Sequence, residues 1–186
     1  MPYVAAKLNP RNIGGFSSYM DSSYREEIKR RMEDVLKVEA PVEKQRLYNT
    51  VRASLGVGRS GIDIQSHNDY ILKLVHHKKT ESLGSQFIWR EDQDPSEYNE
   101  YRYNNGENSR SVNEIPYEEI LSAIKDILNK NISMTHSILI SKLARTFGFQ
   151  RVATRINQVF NSALALATKN SEVVKSERGV YMLPKK

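Results

Sequence analysis

Shifted by 92 residues, the sequence matches itself without a gap: Ile28 falls on Ile120, Asp34 on Asp126, Leu36 on Leu128, Leu47 on Leu139, Gly56 on Gly148, Arg59 on Arg151 and Ile64 on Ile156. Conservative pairs fill the intervals, among them Met32 on Ile124, Val51 on Leu143 and Leu55 on Phe147, so the shared core runs over 28–75 and 120–167. A repeat of this length means one folding unit used twice, each copy burying its own apolar face. In 186 residues that leaves room for two small domains, each with a modest core.

Apolar spacing then places the elements. Ser22 or Ser23 is expected to cap a first helix, with Glu26 and Glu27 against its dipole and Ile28, Met32, Val35 and Leu36 on one buried face. Ala40-Pro41 ends it, and a second helix is expected from Pro41, with Leu47, Val51 and Leu55 inward and Gly56 as the left-handed terminator. A third helix carries Ile64, Ile71, Leu74 and Val75, and Gln86-Phe87-Ile88-Trp89 has strand character.

The second copy repeats the order. Pro116 and Tyr117 open a helix through Leu128, Ser133 is expected to cap the next, Gly148 closes it, and Arg151 to Thr168 reads as a long third helix. Glu172 to Lys175 and Val180 to Leu183 flank Ser176-Glu177-Arg178-Gly179 as a β-hairpin. The predicted fold is mainly α with small β-hairpin wings, a tandem repeat of two winged helix-turn-helix units. Its expected divisions are an N-terminal arm or linker at 1–21, unit one at 22–90, an acidic connector at 91–114 and unit two at 115–186.

Charge separates the two copies. Residues 22–90 carry 13 basic and 9 acidic side chains, 91–114 carry 2 and 7, and 115–186 carry 11 and 5. The basic second unit is compatible with a nucleic-acid footprint. A recognition helix needs donors and acceptors on its outward face. With Ile156, Phe160, Ala163 and Ala167 inward, Arg151, Thr154, Arg155, Gln158 and Asn161 share such a face, and Lys175 and Arg178 lie on or beside the wing. The matching face of unit one holds Arg59, itself a candidate for DNA contact, with Ile62, Asp63, Ser66 and Asp69, whose acids would repel phosphate.

Each of these residues has a plainer alternative. Arg151 and Arg155 can be an ordinary solvated helix start, Arg59 and Arg151 can cap the carbonyls of the preceding helix, and Lys175, Arg178, Lys78 and Lys79 can serve solubility. Trp89, Tyr101 and Tyr103 fit packing better than base stacking, and His76-His77 reads as a solvated helix end.

Other classes of function find no support in the pattern. There is no cysteine, and His67, His76, His77 and His136 lack ligand-like spacing. No glycine-rich phosphate loop or nucleophile elbow is present, and Glu172 with Lys175 lacks the partner aspartate of a metal-dependent nuclease. We expect no enzyme, no cofactor and no metal. No apolar run nears the roughly 18 residues of a membrane span, so a cytoplasmic protein without membrane contact is expected.

The stretches Val38-Glu39-Ala40-Pro41-Val42, Leu55-Gly56-Val57-Gly58-Arg59-Ser60-Gly61 and Phe87-Ile88-Trp89, with Pro116-Tyr117-Glu118-Glu119-Ile120 and Gly148-Phe149-Gln150-Arg151 later, resemble a bacterial domain family of unknown function. In that family the domain sits at the C-terminal end of very large proteins, behind a superfamily-one helicase and a restriction-endonuclease-like segment. The resemblance implies a non-catalytic accessory module of a DNA-processing or defence machine, at the tail of a longer chain. Its partners would be duplex DNA and the helicase and nuclease domains of the same parent. Glu43 stands where the family pattern has histidine, which leaves any role of that position open. The alternatives are a protein-interaction or homodimerisation module and a stand-alone transcription regulator.

Overall fold

A computed structural model describes residues 1–58 and 61–185. The chain is mainly helical with two small sheets. Its elements are α1 (Phe16–Met20), α2 (Arg25–Glu39), β1 (Val42–Glu43), α3 (Lys44–Ser54), α4 (Ile62–Leu72), β2 (His77–Ser82), β3 (Ser85–Arg90), α5 (Tyr117–Asn131), β4 (Ser133–Thr135), α6 (His136–Thr146), α7 (Thr154–Lys169), β5 (Val174–Lys175) and β6 (Val180–Met182). Two compact units result: an N-terminal one of Val4–Glu81 and Ser85–Gln93, and a C-terminal one of Met1–Tyr3, Ser82–Gly84 and Asp94–Lys186. Among the described residues no helix is long and apolar enough to cross a membrane.

In the N-terminal unit Ile28, Met32, Val35 and Leu36 form the buried face of α2, and Leu47, Val51 and Leu55 that of α3. The cap differs from expectation. Asp21, not a serine of the following turn, accepts from the Ser23 amide at 2.8 Å, and Ser22–Tyr24 make one 3-10 turn before α2 begins. Pro41 does not open a helix either. The Ala40-Pro41 bond is cis, Val42 and Glu43 pair with Ile88 and Phe87, and α3 starts only at Lys44. Glu43 caps it, accepting from the Arg46 amide at 2.8 Å, which gives this carboxylate a structural task. Ile64, Ile71 and Val75 are buried as expected, but Leu74 lies beyond the end of α4 and is 39% exposed. His77 opens β2 instead of ending a helix. The sheet runs β1-β3-β2, with Phe87, Ile88 and Trp89 buried.

The C-terminal unit repeats these bounds. α5 and α6 begin and end 92 residues after α2 and α3, and α7 begins 92 after α4. Ser133 belongs to a strand and caps nothing; Thr135 precedes α6. Arg151 lies outside the third helix, which starts at Thr154, because Gly148 at φ +82° and the bend after it turn the chain first. The sheet order β4-β6-β5 matches the first, with Met134 opposite Tyr181 and Lys175 opposite Tyr181 on the other side. The hairpin closes through Gly179 N–H to Ser176 O and Ser176 N–H to Val180 O, both 2.9 Å.

Residues 1–21 and 91–114 carry more structure than the words arm and connector convey. Tyr3, Ile13 and Tyr19 are buried. Pro2 bridges to Tyr103 in parallel, with Tyr3 N–H donating to Tyr103 O at 2.8 Å. Arg102 and Arg110 close on Glu119 of α5, which has no exposed surface. A loop that buries charge needs partners for it, and here two guanidinium groups share one carboxylate, with Arg110 Nε left buried without a hydrogen bond.

Candidate nucleic-acid interface

The predicted DNA-facing residues of the C-terminal unit fall on three elements. Thr154, Arg155, Gln158 and Asn161 occupy the first two turns of α7, whose other side buries Val159, Phe160, Ala163 and Ala167. Arg151 is exposed on the bend before it. Lys175 stands on β5 and Arg178 in the hairpin turn, both exposed. Arg59, matched to Arg151 by the repeat, lies outside the described residues.

Hydrogen bonds tie part of this set together. Arg155 Nε donates to Asn113 Oδ1 at 2.8 Å, which holds the guanidinium against the segment ahead of α5. Asn161 Oδ1 accepts from His136 Nε2 at 2.7 Å, and the His136 ring lies 6.1 Å from that of Tyr181. Lys175 Nζ sits 5.7 Å from the centre of the same tyrosine ring. A chain of contacts therefore joins α7, the start of α6, β6 and β5. Arg151 and Arg178 stand outside it. Among the described residues none of Arg151, Arg155, Lys175 and Arg178 makes an ion pair.

Sequence reasoning missed His136, Asn113 and Tyr181. The repeat held a signal for the first: 92 residues before His136 and Asn161 stand Lys44 and Asp69, which form an ion pair at 2.6 Å. The same two positions, the first of the second helix and the eighth of the third, thus touch in both units. One is an ion pair and the other a hydrogen bond. Asp69 also accepts from Tyr48 Oη at 2.6 Å. Burial would raise its carboxyl, but the hydrogen bonds from Lys44 and Tyr48 and the charges of Lys44 and Lys73 outweigh it and hold the group below the usual carboxylate range. Of the two acids expected to repel phosphate in the N-terminal unit, Asp69 is compensated and Asp63 is exposed.

Glu172 accepts from Tyr117 Oη at 2.8 Å and Lys125 Nζ at 3.0 Å, a structural engagement away from Lys175. Trp89 is buried, its Nε1 donating to Thr80 Oγ1, while Tyr101 donates to Asp126 and packs edge-on to Phe147. Among the described residues no group of three His, Asp or Glu side chains is placed to hold a metal ion.

Residues 20–66, the span from the end of α1 to the opening turns of α4, match a protein family described as of unknown function (DUF3320). No curated protein and no solved structure matches the chain.

Proposed function

We propose that the chain is a tandem of two winged helix-turn-helix units that binds duplex DNA through the C-terminal one, without catalysis of its own, as the accessory module of a helicase- or nuclease-type protein. Each unit has the element order helix, strand, helix, helix, hairpin with the first strand beside the last, which supports the winged-helix reading. The observation that carries the DNA reading is the set of four cations without an ion pair among the described residues, Arg151, Arg155, Lys175 and Arg178, interleaved with Thr154, Gln158 and Asn161. Elsewhere Arg11, Arg31, Arg46, Arg90, Arg102 and Arg110 are matched to carboxylates, whereas Arg25, Arg30, Arg52 and Arg145 make no ion pair among the described residues either, so it is the clustering on one face that sets this group apart. Cations left unmatched beside amide and hydroxyl groups suit phosphate and base edges. The resemblance to helicase-associated domains supports the accessory role.

Fluorescence anisotropy with a labelled duplex at several salt concentrations tests this. Arg151→Ala and Arg155→Ala should each weaken binding and flatten the salt dependence by about one unit of log-log slope for each phosphate the variant no longer neutralises. Unchanged affinity and slope in both variants would refute the assignment. Docking of a protein partner is the second reading, favoured by Ile62, 86% exposed beside Asp63 at the start of α4.

A further inference from the structure

The N-terminal unit has a concavity of about 300 Å³ between the start of α3, the end of α4 and the faces of β2 and β3. Lys44, Asp69, Lys73, His77, Lys79 and Gln86 line it, over a floor that includes the buried Ile88. Three lysines, from α3, the turn after α4 and β2, thus line one depression. Its single carboxylate, Asp69, is occupied by Lys44 and by the Tyr48 hydroxyl. Lys73 and Lys79 make no ion pair among the described residues, and both are exposed. His77 Nδ1 lies 2.7 Å from the Val75 carbonyl and so must donate to it, which leaves Nε2 as the ring nitrogen open to a ligand.

Part of this lining differs between the two copies of the repeat. At 92 residues further on, Lys44 and Asp69 become His136 and Asn161 and Lys73 becomes Ala165; past the third helix the offset changes, since Ile88 pairs with Val42 while Tyr181, 93 residues on, pairs with Met134. The ion pair of Lys44 with Asp69 and the cation of Lys73 thus stand where the C-terminal unit has a hydrogen-bonded His136–Asn161 pair and an alanine.

We infer that this lysine-lined concavity of the N-terminal unit is a phosphate-binding site, independent of the α7 face. Lys79 and Lys73 supply positive charge without an ion pair, Lys73 acting on Asp69 only through its field, Lys44 is fixed by Asp69 beside them, and Gln86 adds an amide donor. A compact multivalent anion suits such a site, because several ammonium donors can reach its oxygens at once while each keeps part of its hydration. The phosphate group can come from free phosphate or from a nucleic-acid backbone, and the two sources give different results.

The test uses the full chain, wild type and the double variant Lys73→Gln with Lys79→Gln. Both positions are exposed and make no ion pair, so the fold is not at stake. In the first arm, sodium phosphate is titrated against sodium chloride of equal ionic strength, following the amide resonances of Lys73, Lys79 and Gln86 in ¹H–¹⁵N spectra. Saturable shifts in the wild type that vanish in the double variant are the expected result. In the second arm, duplex binding is followed against salt. A slope flattened by about one unit in the double variant identifies backbone phosphate as a source, since one phosphate then keeps its counterions. An unchanged slope together with saturable phosphate shifts identifies free phosphate and supports the site equally. Absence of saturable shifts with an unchanged duplex affinity and slope would overturn the inference. The α7 reading is judged separately, by Arg151→Ala and Arg155→Ala, so either can fail alone.

Discussion

Glu119 is a carboxylate with no exposed surface, held between two arginines. It is fully buried, and Arg102 and Arg110 give its two oxygens hydrogen bonds of 2.5–3.1 Å, while Tyr3 covers the Arg110 guanidinium at 4.5 Å. Burial alone would raise its carboxyl, and the two arginine charges and their hydrogen bonds reverse that, so it titrates below the usual glutamate range. A folded value below the unfolded one, about 4.3, means the contribution is complete above that pH and is lost as pH falls through the folded value. Glu119→Gln leaves two buried cations short of a counter-charge and should cost about 3–5 kcal/mol at neutral pH in urea unfolding. The gap from wild type should narrow in acid, where wild-type Glu119 also loses its charge. A gap independent of pH would show that altered packing, not the missing charge, is responsible.

At the scale of elements, each second helix ends under a preceding segment. Gly56 after α3 has φ +74° and faces Asn12, and Gly148 after α6 has φ +82° and faces Asn104, again 92 residues apart. Both glycines are needed for their backbone angle and for the close approach. The approaches are unequal: an added Cβ would stand 3.2 Å from the Asn12 side chain but 2.5 Å from the Asn104 carbonyl oxygen. Gly56→Ala should cost about 1–2 kcal/mol, chiefly for the left-handed angle, because Asn12, with its Oδ1 at 3.2 Å and its Cα at 3.3 Å from the added Cβ, need give way by only a few tenths of an ångström. Gly148→Ala should cost roughly 1–3 kcal/mol more, because backbone cannot swing aside as a side chain can. Equal losses in thermal unfolding would sink this account of the Asn104 approach.

At the scale of the whole molecule, chain order and unit membership part company. Met1–Tyr3 belong with Asp94–Lys186, while Val4 onward belongs to the N-terminal unit. Tyr3 is 1% exposed, its amide bonds to Tyr103, and its ring lies over both guanidinium groups that hold Glu119. Tyr3→Ala should therefore cost about 3–5 kcal/mol. The loss should appear in hydrogen exchange as weaker protection of α5 amides. Retained protection there would mean that the first residues merely lie on the surface they touch.

The repeat was legible because apolar periodicity is a local property: Ile28, Met32 and Leu47 announce their burial through spacing alone, and their partners 92 residues on repeat the pattern. Terminating glycines and the hairpin at Ser176–Gly179 were legible for the same reason. Strand starts after α2 and α5 were not, since β1 and β4 are two and three residues long and exist only through pairing with β3 and β6. The outward composition of α7 was readable from period 3.6, but His136 and Tyr181 joined it only through contacts made across elements. Spacing and composition along the chain specified a doubled helical core and the different charge of its two copies. Tertiary structure alone decided which cations remain without an ion pair, because matching Arg102 and Arg110 to Glu119, or leaving Lys73 and Lys79 without a carboxylate, depends on distances between segments that spacing along the chain does not encode.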